Sequence, residues 1–105
     1  ALAQLNNDRH LFNELAVMFI DELPHLLAEI NTAINGRSFG NIRQSAHRFK
    51  GETLHFVCKP LENCLRAIEM AAIELAIDTI TREHLQLESL CHQLRVELLA
   101  VVEEK

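Results

Sequence analysis

Apolar side chains recur at steps of three and four along almost the whole chain, and this spacing constrains the fold more than any other feature. Phe12, Leu15, Phe19, Leu23, Leu26 and Ile30 fall on one stripe of a helix. Ile42, Ala46, Phe49, Thr53 and Phe56 form a second stripe, and Leu61, Cys64, Leu65, Ile68, Ala72 and Leu75 a third. Ile80, Leu87, Cys91, Leu94, Leu98 and Val101 form the fourth. A half-buried strand would instead place apolar residues at every second position. With 3 Gly and 2 Pro, the chain also lacks punctuation for the many turns of an all-β fold. The spacing predicts an all-α, up-and-down four-helix bundle. At 105 residues, the chain suits one domain with its own core.

Helix ends are expected where the backbone can be satisfied or must turn. Asn7 or Asp8 offers an oxygen to cap a first helix reaching Ile34. Pro24 lies inside that helix, removes a donor and crowds the carbonyl of Ile20, so a kink or a split is expected there. Asn35-Gly36 ends the segment, since either residue tolerates the left-handed conformation. Ser38 is placed to cap the second helix, which carries the stripe from Ile42 to Phe56. Pro60 suits the first turn of the third, where its missing N–H costs nothing, and Asp78 or Thr79 is expected to cap the fourth.

Net charge is −5, which disfavours nucleic acid as a main partner. The charge is uneven. Between residues 37 and 59, Arg37, Arg43, Arg48, Lys50 and Lys59 face Glu52 alone, a local balance of +4 in a chain whose remainder carries −9. A basic island in an acidic domain suggests an anionic partner at that place, although on charge alone a solvated helix face is the better account. The three cysteines, Cys58, Cys64 and Cys91, form no CxxC pair, and free thiols in a reducing compartment are the simplest account. No apolar stretch approaches the roughly 20 residues that cross a bilayer, so no direct membrane contact is expected. A chain opening on Ala1 is expected to be a fragment of something longer.

Six histidines raise the question of metal. Glu22 and His25 have the ExxH spacing of di-iron bundles, but such a site needs a second copy and two further carboxylates. Pro24 distorts that spacing, no acid lies on the apolar stripes to supply the further carboxylates, and no metal site is expected. His84 aligns with the buried stripe of the last helix; His10, His25, His55 and His92 read as surface. Cys64 and Cys91 lie on core stripes and are expected to act as small hydrophobes.

The stretch Ser45-Ala46-His47-Arg48-Phe49-Lys50-Gly51 is different in kind. His47 sits beside the stripe of Ala46 and Phe49 and is expected to project into water. Its helical neighbours three and four positions away are Arg43, Gln44, Lys50 and Gly51. A neutral imidazole nitrogen is a nucleophile for phosphorus. Positive charge nearby opposes adding a proton to the ring, and can later meet phosphoryl oxygens through charge-assisted hydrogen bonds. A mid-helix Gly51 costs about 1 kcal/mol relative to alanine, and its use would be room for a partner to approach; close internal packing is the alternative.

Ala46-His47-Arg48-Phe49-Lys50-Gly51 resembles the AHxLKG signature of histidine phosphotransfer (HPt) domains, with Phe49 in place of the usual Leu. The resemblance extends over nearly the whole chain, through Leu11-Phe12, Phe19, Glu22-Leu23-Pro24 and Leu26-Leu27 before the signature, and Leu61, Cys64 and Glu69 after it. It implies that residues 1–105 form a single HPt domain. In that domain His47 is the phosphoacceptor at Nε2, Lys50 assists the phosphoryl group and Gly51 leaves room for the receiver. Arg43, Gln44, Arg48 and Leu54 are expected to contact the partner. Departures from the family pattern are Val57, where a second Gly is common, and Glu52 and Leu54, where small residues are usual.

The function implied is that of a phosphocarrier, relaying a phosphoryl group between receiver-domain aspartates, or between kinase and receiver, without kinase or hydrolase activity of its own. Its partners would be response-regulator receiver domains and a hybrid sensor histidine kinase. The domain needs no cofactor, Mg²⁺ belonging to the receiver. A monomer is expected in the cytoplasm, either free or as a module of a membrane-bound sensor kinase. The rival reading is a helical adaptor or dimerisation module whose phosphotransfer site is idle.

Overall fold

A computed structural model describes residues 9–56 and 58–103; the cap expected at Asn7 or Asp8 and the position of Val57 lie outside them. Each of the four apolar stripes becomes the inner face of a helix: α1 (Arg9–Asn35), α2 (Phe39–Glu52), α3 (Lys59–Ile73) and α4 (Ile77–Glu103). Each helix packs on its sequence neighbours, and α4 closes the ring against α1. The result is the expected up-and-down four-helix bundle. Phe49, Leu26, Ile30, Ile42, Leu61, Leu65, Ile68, Ile80, Leu87, Leu94 and Leu98 are fully buried along its axis.

The helices are unequal. At a rise of about 1.5 Å per residue, α1 and α4 are about 40 Å long and α2 and α3 about 21–23 Å. The α1–α2 and α3–α4 turns share one end of the bundle. The remote halves of α1 and α4 therefore project past the shorter pair, where Arg9 Nη2 donates to the Val101 carbonyl at 3.4 Å. Between the two levels Phe56 inserts against α1, its ring 5.8 Å from Phe12 edge-on and 5.2 Å from Phe19.

Of the two forms expected at Pro24, the helix is not split. α1 runs through Pro24 as one helix, with the ring exposed. The chain reversals differ from expectation. At the end of α1 the left-handed residue is Arg37 (φ 52°), neither Asn35 nor Gly36. Ser38 N–H donates to the Ala33 carbonyl and Arg37 N–H to that of Ile34, the paired bonds of a Schellman ending. Leu75 (φ 59°) does the same after α3, with Ala76 N–H bonded to Ala71 and Leu75 N–H to Ala72. Leu75 thus lies beyond α3 and is 64% exposed, not on the core stripe. Ser38 caps α2 through its carbonyl, which accepts from Ile42 N–H at 2.8 Å, and makes no side-chain cap bond. α4 begins at Ile77, so Asp78 and Thr79 fall within its first turn.

The expected second helix stops short. α2 ends at Glu52 and a 3₁₀ turn, Thr53–His55, carries the chain to Phe56. The buried Thr53 donates its hydroxyl to the Lys50 carbonyl at 2.7 Å. The tighter turn swings Phe56 into the aromatic contact with α1. Cys64 and Cys91 are free and buried, and burial pushes both thiols up to about 12, as suits core residues. His84, half-buried, pairs its Nε2 with Asn31 Oδ1 across the α1–α4 seam.

A left-handed conformation is costly for any residue with a Cβ, by about 1–2 kcal/mol. Glycine regains most of this and loses part through its freer unfolded chain. Leu75→Gly is therefore expected to stabilise the domain by about 0.5–1 kcal/mol, raising the melting temperature by about 2–6 °C. A fall in melting temperature would show that the exposed leucine contributes packing that outweighs its backbone strain.

Candidate functional site

His47 lies in the second half of α2 on the face turned away from the core, and its side chain is 70% exposed. Its neighbours Ala46 and Phe49 are fully buried, so the outward orientation follows from the helical spacing. Beneath the ring lies a residue of α3. Glu69 sits next to the buried Ile68, on the edge of α3 that faces α2, and its side chain is only 14% exposed. One carboxylate oxygen, Oε2, is 2.8 Å from His47 Nδ1. The other, Oε1, accepts from Lys50 Nζ at 2.7 Å.

This geometry fixes the tautomer. A carboxylate can only accept, so Nδ1 carries the proton. In the neutral ring, Nε2 is then the nitrogen with a lone pair, on the far side of an exposed ring. Burial alone would raise the Glu69 carboxyl, but hydrogen bonds from Lys50 and His47, together with their charges, outweigh it and hold the group below its ordinary value of 4.5. Glu69 therefore stays ionised at neutral pH.

The expectation of purely cationic surroundings for His47 is corrected by this pair. Lys50 faces α3, is 23% exposed, and its charge is met by Glu69. Arg48 is likewise engaged. It reaches away from His47 towards α1, with Nη1 2.6 Å from Glu29 and Nη2 3.7 Å from Glu22. Arg43 is exposed, one turn before His47. Arg43, Gln44, His47, Arg48 and Glu69 together line a depression of about 240 Å³.

Gly51 belongs to the last turn of α2, not to its middle. A Cβ built on it would meet nothing within 4 Å, so internal packing does not require a glycine there. Leu54 follows in the 3₁₀ turn and is 59% exposed. The structure thus brings His47, Lys50, Gly51, Arg43, Gln44 and Arg48 to one stretch of surface, with Leu54 at its edge. Sequence reasoning placed Glu69 within the family pattern but missed its contact with His47. The available signal was an acid bordering a core stripe, since a carboxylate in that position needs a cation or donors.

The match between the chain and the Hpt domain family covers residues 14–101, and the chain belongs to that family, whose members act in histidine phosphotransfer. Neither curated proteins nor solved structures gave a match. Among the described residues, no helix is long and apolar enough to cross a membrane.

The Glu69 contacts predict a pH effect. Because its folded-state pKa is depressed, the stabilisation it provides is fully present above about 4.5, the ordinary value, and is lost as pH falls through the lower folded value. Glu69→Gln should melt below wild type at neutral pH, and the gap should narrow as the pH drops beneath 4.5. A gap that stays constant down to acid pH would mean that the ion pair contributes nothing.

Proposed function

We propose that the chain is a phosphocarrier in which Nε2 of His47 accepts a phosphoryl group from an aspartyl phosphate on a receiver domain and passes it to the aspartate of another. The observation that carries this reading is the Nδ1–Glu69 contact, which assigns the proton of the neutral ring to Nδ1 and makes Nε2, on the side away from Glu69, the nucleophilic nitrogen. In the forward step the Nε2 lone pair forms the N–P bond while the P–O bond to the aspartate breaks, and the aspartate leaves as a carboxylate. The Nδ1 proton stays in place. The ring now carries positive charge, which the Glu69 carboxylate balances at 2.8 Å. In the return step a carboxylate oxygen of the acceptor aspartate forms the P–O bond as the N–P bond breaks, and the ring leaves as neutral imidazole.

Lys50 has two uses in this scheme: it keeps Glu69 ionised and oriented, and its ammonium lies one turn from the reacting ring. Arg43, exposed on the same side, is available to phosphoryl oxygens or to acidic residues of the partner. Gly51 leaves clearance for the receiver. Contact is expected to be modest and transient, with Leu54 as an apolar point and Arg48 and Gln44 at its rim. Met18 and Ile73 are further apolar candidates. Met18 precedes Glu22 by one turn on the side of α1 that meets Arg48, and Ile73 follows Glu69 by one turn on α3; both are exposed. The Mg²⁺ of the reaction is assigned to the receiver. The domain is taken to work as a cytoplasmic monomer, with no kinase or hydrolase activity of its own. An idle adaptor would have no use for a carboxylate that orients an exposed imidazole, which favours the active reading.

His47→Gln should abolish acid-labile phosphate while leaving helicity and melting nearly unchanged; labelling of that variant would move the site elsewhere. Lys50→Ala should slow transfer about tenfold or less, since about 1.4 kcal/mol corresponds to a factor of ten. Gly51→Gln should impair transfer from a phosphorylated receiver while accepting phosphate normally from a small phosphoramidate donor. Normal transfer by Gly51→Gln would remove the steric account of the glycine.

A further inference from the structure

α4 carries two stripes. The inner one, Ile80, Leu87, Cys91, Leu94 and Leu98, is buried in the bundle. On the opposite side Arg82, Leu85, Ser89, His92, Val96 and Leu99 recur at steps of three and four, the heptad spacing of a helix that packs along another helix. Leu85 is 76% exposed and Val96 51%, while Leu99 is half-buried. Single exposed apolar residues are ordinary, but three in one register along a 27-residue helix make a seam that the bundle does not use. α4 packs between α1 and α3, so this outer face points away from α2 and from His47.

The residues that border the seam say what fits it. Glu88 and Arg95 lie seven positions apart along the edge nearer α1, and Gln86 and Gln93, also seven apart, along the other. All four are exposed, and neither Glu88 nor Arg95 forms an ion pair within its own copy. Two such faces laid antiparallel, with a two-fold axis at the level of Leu90 and Cys91, complement each other. Leu85 of each copy packs on Val96 of the other, Ser89 meets His92, and the stem of Arg82 covers Leu99. In that register Glu88 faces Arg95 along one edge and Gln86 faces Gln93 along the other. Every contact occurs twice, as a two-fold pairing requires. A parallel pairing instead sets Arg82 on Arg82 and His92 on His92, and leaves Glu88 and Arg95 opposite Gln93 and Ala100, without a counter-charge.

We propose that the outer face of α4 is a self-association surface, through which a second copy of this chain pairs antiparallel by Leu85–Val96 contacts and Glu88–Arg95 ion pairs. The monomer stays the working unit of phosphotransfer, because each His47 site is complete within its own copy. Pairing brings two such sites onto one particle without covering either. One helix face on another is small for a protein contact, so dissociation is expected at about 0.1 mM.

Sedimentation equilibrium from about 10 μM to about 1 mM chain tests the surface. The apparent mass should climb from the 12.0 kDa of one chain towards twice that value. Leu85→Glu, Glu88→Arg alone and Arg95→Glu alone should each weaken association about tenfold or more. Glu88→Arg combined with Arg95→Glu restores opposite charges on the edge and should return to within about threefold of wild type. All three positions are exposed, so helicity and melting should match wild type in every variant, which separates lost pairing from lost fold. A wild-type mass that stays at one chain up to about 1 mM overturns the proposal. A double charge variant as weak as the single ones overturns it as well, since the antiparallel register then has no support.

Discussion

One carboxylate on α3 organises the face of α2 that carries His47. Glu69 reaches two side chains a helical turn apart, an imidazole with one oxygen and an ammonium with the other. Without it, His47 would be an exposed ring free to rotate and to exchange tautomers, and Lys50 would be a half-buried cation lacking its counter-charge. The bundle places Glu69 where it can act, because the edge position beside Ile68 shelters the carboxylate from water while its oxygens still meet α2. A sheltered anion orders its donors more strongly than an exposed one would.

The cooperation of two helices explains why much of the fold was legible in the sequence while the site was only partly so. Helical periodicity is local, and the four stripes read from it supply the four inner faces observed, with Leu75 exposed and Leu15 and Val101 partly buried. Even the solvent orientation of His47 follows from its neighbours Ala46 and Phe49. The end of α2 was not legible, because a long-range event decides it: Phe56 packs between Phe12 and Phe19, more than thirty residues earlier in the chain. The reversals at Arg37 and Leu75 were hidden for a related reason. Gly36 looked like the natural left-handed residue, but the hydrogen bonds to Ala33 and Ile34 fix the register one residue later.

The site mixes both cases. Arg43, Gln44, His47 and Gly51 share a face by spacing alone, and the structure leaves them together. Lys50 was expected beside the imidazole and Arg48 at the partner contact, yet each turns to an acid on a neighbouring helix. Charge counted along a sequence cannot show this, since Glu69 is 22 positions from His47, and Glu29 is 19 from Arg48. Which cation meets which acid depends on how the helices pack. Lys59 likewise meets Glu62 at 3.8 Å, so among the described residues Arg37 and Arg43 are what is left of the island without an acid beside them, a smaller positive feature than five basic residues suggested.

The unequal helices have a dynamic consequence. Where all four overlap, an amide must break through two layers of packed side chains to reach water; where α1 and α4 run on as a pair, it is shielded on fewer sides. Amide hydrogen exchange should therefore grade along α1, slowest beside α2 and α3 and faster towards Arg9. His47, on α2, lies beside the protected part of α1, so the scaffold around it can stay rigid while the remote pair opens and closes.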